Sequence, residues 1–133
     1  MMQALPLRLV PGEDLRAALE RVLPAQGMAA AFVLQGIGSL RAARIRCAGR
    51  DDALALDGDL EILTLAGTLA PDGVHLHISV SDAHGAVVGG HVERGCIVRT
   101  TAEILLALLP AHRFSRVHDA ASGFRELQVR EQS

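Results

Sequence analysis

Aromatic side chains are nearly absent from this sequence. Its 133 residues include three phenylalanines, no tyrosine and no tryptophan. Single-stranded nucleic-acid sites stack bases on aromatic rings, and this chain has almost nothing from which to build such a platform. A positive excess is also missing. The formal net charge is −2, whereas proteins that grip a phosphate backbone carry a basic surplus or a long basic patch. The densest basic cluster is Arg41, Arg44, Arg46 and Arg50. At strand spacing Arg44 and Arg46 share a face, and such faces are usually solvated. Long hydrophobic runs are lacking too. The longest, Met28 to Leu34, is far too short to span a bilayer. The first residues, MMQALPLRLVPGEDLR, lack the basic start and apolar stretch of a secretory leader. The expected location is therefore cytoplasmic, with no membrane partner. Cys47 and Cys96 form no CxxC pair and are not close neighbours of the histidines. They fit reduced thiols and give little support for a redox or zinc-finger role.

What is present is a globular composition: 50% of residues are hydrophobic and 21% are charged. No Pro/Ser/Gly linker and no repeat divides the chain, so residues 1–133 read as a single domain. Its core has to come from Leu, Val, Ile and Ala. The organising stretch is Gly58 to Glu103, which reads as consecutive strands separated by glycine turns and holds four of the six histidines.

Leu5 to Val10 alternates as a strand and is closed by Pro11-Gly12. In the segment that follows, Leu15, Ala18, Leu19 and Val22 recur at helical spacing. Glu13 and Asp14 fall in the first turn, where the dipole favours negative charge, and Pro24 and Gly27 are expected to end the helix. One helix with one apolar stripe needs a sheet to lie on. Met28 to Ile37 is expected to be a strand buried on both faces, with a turn or bulge at Gly36 to Ser39. Leu40 to Ala48 alternates less cleanly. Arg50 to Asp57 reads as a loop with a short strand, and Asp57-Gly58 as a turn. Leu60 to Ala70 and Val74 to Ser81 read as strands joined by the turn Pro71-Asp72-Gly73. Asp82 to Gly85 is a further turn, leading to a short strand, Val87 to Val92. Cys96 to Leu109 could be strand or helix by period; its place in a hairpin series favours strand. Phe124 to Val129 alternates as a last strand.

His75 and His77 are two apart, so on a strand they project to the same side, about 7 Å apart at roughly 3.3 Å per residue. The turn at Asp82 to Gly85 returns the chain and sets His91 opposite residue 76 or so. Three neutral imidazoles suit zinc or another divalent metal, and a three-histidine set leaves one position open. His75, His77 and His91 are therefore the candidate metal ligands. Glu103 is the candidate fourth ligand, orienting group or base. Gly89 and Gly90 form a paired-glycine segment that suggests a bulge or a close backbone approach, and they are the candidate cofactor-contacting positions. The alternative is that the histidines are polar groups on a half-exposed sheet face, bonded to neighbours or to another subunit. His84 lies in a turn, and His112 and His118 have no partner at recognisable spacing. No serine sits in a nucleophile elbow and no P-loop is present, so the sequence assigns no reaction.

Several segments in order resemble the plants-and-prokaryotes conserved (PPC) domain in its bacterial single-domain form. They are Gly36-Ile37-Gly38-Ser39-Leu40, Leu60 to Gly67, His75-Leu76-His77, Gly89-Gly90-His91 and Thr101-Ala102-Glu103. Phe114, Arg116, Asp119, Gly123, Glu126 and Leu127 match the closing pattern, with Ser122 where threonine is usual. The resemblance implies an α+β fold: a mainly antiparallel β-sheet with one main amphipathic helix packed on it, assembled as a homotrimer. It also implies a DNA-binding or regulatory label, which comes from plant relatives that carry a separate basic R-G-R-P hook. This chain has no such hook. The function expected from the residues is a trimeric domain with a histidine-lined metal or small-molecule site. The alternative is the DNA-binding role, which the charge does not favour.

Overall fold

The computed structural model describes residues 1–133. In chain order the elements are β1 (Gln3–Leu9), α1 (Leu15–Glu20), α2 (Val22–Gln26), β2 (Ala31–Arg46), β3 (Leu54–Ala70), β4 (Gly73–Ser81), β5 (Val87–Val92), β6 (Ile97–Leu108), β7 (His112–His118) and β8 (Arg125–Glu131). Six strands form one antiparallel sheet in the order β1-β6-β2-β3-β4-β5, while β7 and β8 form a separate hairpin. The sheet also curls back on itself. The last residues of β2 pair with β5, Ile45 with Val92 and Arg46 with His91. β2, β3, β4 and β5 thus close into a ring, which covers the His91–Val92 end of the edge that β5 would otherwise present. This is the expected α+β arrangement of a mainly antiparallel sheet and a short helical segment. No helix is long and apolar enough to cross a membrane.

The helical segment departs from the expectation: Glu13 and Asp14 precede the first turn of α1 instead of lying in it. It also breaks at Arg21, and Pro24 sits inside the first turn of α2 rather than ending the helix. N–H groups in a first turn have no intrahelical acceptor, so the proline forfeits nothing there. The Asp14 carboxylate accepts from the Ala17 N–H at 2.9 Å and caps α1, and Gly27, at φ 62, ends α2 in the left-handed conformation.

β2 and β3 are also longer than expected. The segment Gly36 to Ser39 does not break β2, and the short strand expected within Arg50 to Asp57 runs on through Gly58 without a turn, because β3 extends from Leu54 to Ala70. Both places hold bulges: the β2–β3 register shifts between Leu40 and Ala42, and the β2–β6 register shifts there and at two further points. Glycine serves a bulge as readily as a turn, so the local signal is the same. Nor is β2 buried on both faces. It alternates, leaving Phe32 38%, Leu34 49% and Ile37 50% exposed. Cys96 to Leu109 resolves as strand, in β6.

The inward face of the sheet and the buried side of the helices make one core. It joins Leu15 and Leu19 of α1 to Leu40, Ile45, Leu65, Leu69, Leu76 and Leu106. The aromatics lie outside it. Phe114 packs on Ala30 and Ala70 in a small second cluster, edge-on to Phe32 at 5.8 Å. Alternation then fixes β4: Val74, Leu76, Ile78 and Val80 are buried inward, and His75 and His77 face out.

Gly67 of β3, paired with Leu76, is a point of close approach. A Cβ there would collide with the His75 carbonyl and lie 2.9 Å from the Leu76 Cα. Gly67→Ala is expected to cost roughly 1–3 kcal/mol as an overpacked site, seen as a lower melting temperature. An unchanged thermal melt would show that the strands separate freely here.

Candidate metal centre

Strand pairing assembles the histidines. His77 lies directly opposite His91 in the β4–β5 pair, one residue from the expected register, and His75 lies opposite Thr68 of β3. The ring centroids are 4.8 Å apart for His75 and His77, 5.4 Å for His75 and His91, and 4.8 Å for His77 and His91. Each ring offers a nitrogen, and these three atoms lie within 4.8 Å of one another. The Nε2 atoms of His75 and His77 are 3.1 Å apart and share a hydrogen bond. A tetrahedral zinc with bonds of 2.0–2.1 Å sets its ligand nitrogens about 3.3 Å apart. The donor set therefore fits such an ion with small ring adjustments.

The paired glycines act on the site through backbone packing. A Cβ at Gly90 would lie 2.6 Å from the Arg46 carbonyl oxygen, and one at Gly89 would lie 3.1 Å from that of Ile78. Their bareness lets β5 pair with β4 on one side and with β2 on the other, which delivers His91. Glu103 is elsewhere. It is exposed on β6 opposite Arg8 and Ile37, and β2 and β3 separate its strand from β4. It is not among the groups gathered at the three nitrogens. His84 remains in its turn, bonded through its backbone to Asp82.

Beside the histidines lies a cavity of about 480 Å³ whose lining includes His75, His91, Arg16, Arg46, Arg116 and Glu93. Sequence reasoning missed Arg16 and Arg116. Arg16, on α1, donates to the carbonyls of Val92 at 2.8 Å and Val74 at 3.3 Å. Arg116, on β7, donates to the Thr68 hydroxyl at 2.6 Å, and its backbone N–H is held by Asp72. Arg46 pairs with Glu93 at 3.1 Å.

The surroundings favour the neutral form of His75 and His91. Burial, then the Arg116 charge, then His77, His91 and Arg16, lower the pKa of His75 from 6.5 to about 4. Burial and Arg46 lower His91 as well. Burial also lowers Arg116, against the opposing pull of Glu126 and Asp72. The neutral ring is the form that binds metal.

Residues 1–110 match the Plants and Prokaryotes Conserved (PCC) domain. The chain belongs to that family. Across 124 residues, 93% of its length, it is 51% identical to a bifunctional protein GlmU from a Synechococcus strain. It spans about a fifth (20%) of that curated relative. A hypothetical protein from Salmonella enterica shares the fold at a TM-score of 0.96 with 38% identity, over 100% of this chain and 96% of that one. A metal-containing protein from Archaeoglobus fulgidus aligns with a TM-score of 0.79 and 25% identity, over 95% of this chain and 93% of its own. A Bacteroides thetaiotaomicron structure, named as a candidate DNA-binding protein, shares the fold at a TM-score of 0.82 with 19% identity, covering 94% and 91%.

In this PCC-domain protein without metal, NMR titration of the imidazoles is expected to give His75 a midpoint near 4 and His91 one below 6.5. An unfolded histidine takes its proton near 6.5, whereas the folded His75 refuses it until about 4. Stability is therefore expected to fall as pH drops through that window. A His75 midpoint at or above 6.5 would contradict the electrostatics described.

Proposed function

We propose that this PCC-domain protein is a metal-binding protein, with His75, His77 and His91 holding zinc or a similar divalent ion. The convergence of three ring nitrogens within 4.8 Å carries the reading. Three further points support it. The cluster contains only imidazoles, which suits zinc better than calcium or magnesium. The surroundings disfavour protonation of His75 and His91. The Archaeoglobus relative is named as metal-containing. Three protein ligands leave a coordination position for solvent or a small ligand. The DNA-binding reading has the name of the Bacteroides neighbour behind it. The net charge of −2 and the scarcity of aromatics weigh against it.

Protein purified without a histidine tag is expected to contain zinc, or to take it up at one ion per chain by calorimetry. Single alanine variants of the three histidines are expected to weaken binding at least about tenfold, since even outer partners of a ligand are worth that much. The triple variant is expected to abolish it. Binding by the triple variant as tight as the parent's sinks the proposal.

The proposal extends to self-association. Phe32, Leu34, Ile37, Leu63 and Leu105 stay 38–50% exposed on the outward face of β2, β3 and β6. Adjacent exposed apolar residues of this kind mark contact surfaces, and two further copies of this chain, in a closed trimer, are the proposed occupants. Light scattering is expected to give a trimer mass, and Leu34→Asp with Leu63→Asp a smaller species. A monomer at micromolar concentration would refute the assembly.

A further inference from the structure

The cavity beside the histidines is lined by more arginines than acidic residues, and the fold neutralises them only in part. Four arginines line it, Arg16, Arg46, Arg116 and Arg125, with Glu93 and Glu126 as the acidic members. Arg46 is paired with Glu93, and Arg125 with Asp72 at 3.4 Å. Arg16 and Arg116 take part in none of the protein's salt bridges. Glu126 and then Asp72 act on the Arg116 guanidinium through their fields, without a direct ion pair to it. An arginine carries five N–H donors. Arg16 spends two on backbone carbonyls and Arg116 spends one on Thr68. Both are nonetheless held in place, Arg16 across the ends of β4 and β5, and Arg116 through Thr68 and the Asp72 clasp. Half-buried guanidinium groups that are fixed yet unpaired are unusual, because charged side chains away from water normally find a partner. A guanidinium fork matches the two oxygens of a carboxylate or phosphate.

We infer that this pocket binds a small organic oxyanion, held by Arg16 and Arg116 and reaching the open coordination position of a metal on His75, His77 and His91. The inference rests on the metal-site reading for that last contact. Size agrees: about 480 Å³ falls in the roughly 300–1,000 Å³ range of small-molecule sites. Ala48 and the exposed ring of Phe124 add apolar surface to the lining.

The test uses calorimetry in two stages. Zinc is titrated first into the metal-free parent. Butyrate, inorganic phosphate or neutral butyramide is then titrated into the zinc-loaded and metal-free forms. One of the two anions is expected to bind the zinc-loaded form at least about tenfold more tightly than the metal-free form. The tighter anion tells a carboxylate ligand from a phosphate one, and either supports the inference. Butyramide is expected to bind at least tenfold more weakly. Arg16→Gln and Arg116→Gln are each expected to weaken the anion about tenfold with zinc affinity unchanged. The second variant keeps a donor for Thr68, and melting curves confirm that both are folded. Anion binding at parental strength in Arg116→Gln overturns the inference and leaves the metal reading intact, as does equal binding of butyramide. Absence of zinc binding in the first stage overturns the metal reading, and with it the bridging arrangement.

Discussion

Two residue pairs at the far end of β2, Ile45 with Val92 and Arg46 with His91, hold the sheet closed. Most of the molecule's chemistry depends on them. They fix β5 against β2 while its other side pairs with β4, so His91 has one place to be. They also bring Arg46 to the rim of the cavity, where it meets Glu93. The contact requires a residue without a side chain at position 90, because the Arg46 carbonyl occupies that space. A glycine that looks like local punctuation in the sequence is thus a condition for closing the ring.

The site combines opposing tendencies. Three imidazoles crowd one point, and arginines surround them. Burial first, and then the neighbouring positive charge, hold His75 and His91 neutral. Neutral rings keep their lone pairs available, and one pair of rings shares a single hydrogen bond between nitrogens. The arginines that add to this effect also attract an anion. A divalent ion and an anion would partly offset each other here, which is why the two proposed functions of the pocket fit together physically.

Much of the fold was legible because period-two alternation survives the noise of a single sequence. The HxH pair projects outward because Leu76 and Ile78 on either side of His77 are driven inward. The turn at Asp82 to Gly85 placed His91 within one residue of its true partner. Legibility failed where one local signal serves two structures. The glycines at 36–38 read as a turn or a bulge and Asp57-Gly58 as a turn, yet both places lie inside long strands whose register shifts nearby. It failed also where contacts cross the chain. Arg16 reaches carbonyls 58 and 76 residues away, contacts that no local pattern signals. Arg116 arrives on a hairpin whose packing depends on Phe114 settling over Ala30 and Ala70. Glu103 was drawn toward the histidines by nearness in sequence, but two intervening strands set it apart.

The histidines stand on strands whose opposite face is already sealed by leucine, isoleucine and valine. The frame that positions them owes nothing to what they bind. In zinc fingers the ion supplies the folding energy, and its removal unravels the chain. Here an ion would draw the rings together on strands already in place and could leave with those strands undisturbed. Its occupancy would then follow the free concentration of the metal around it, and the protein would persist through repeated cycles of loading and release.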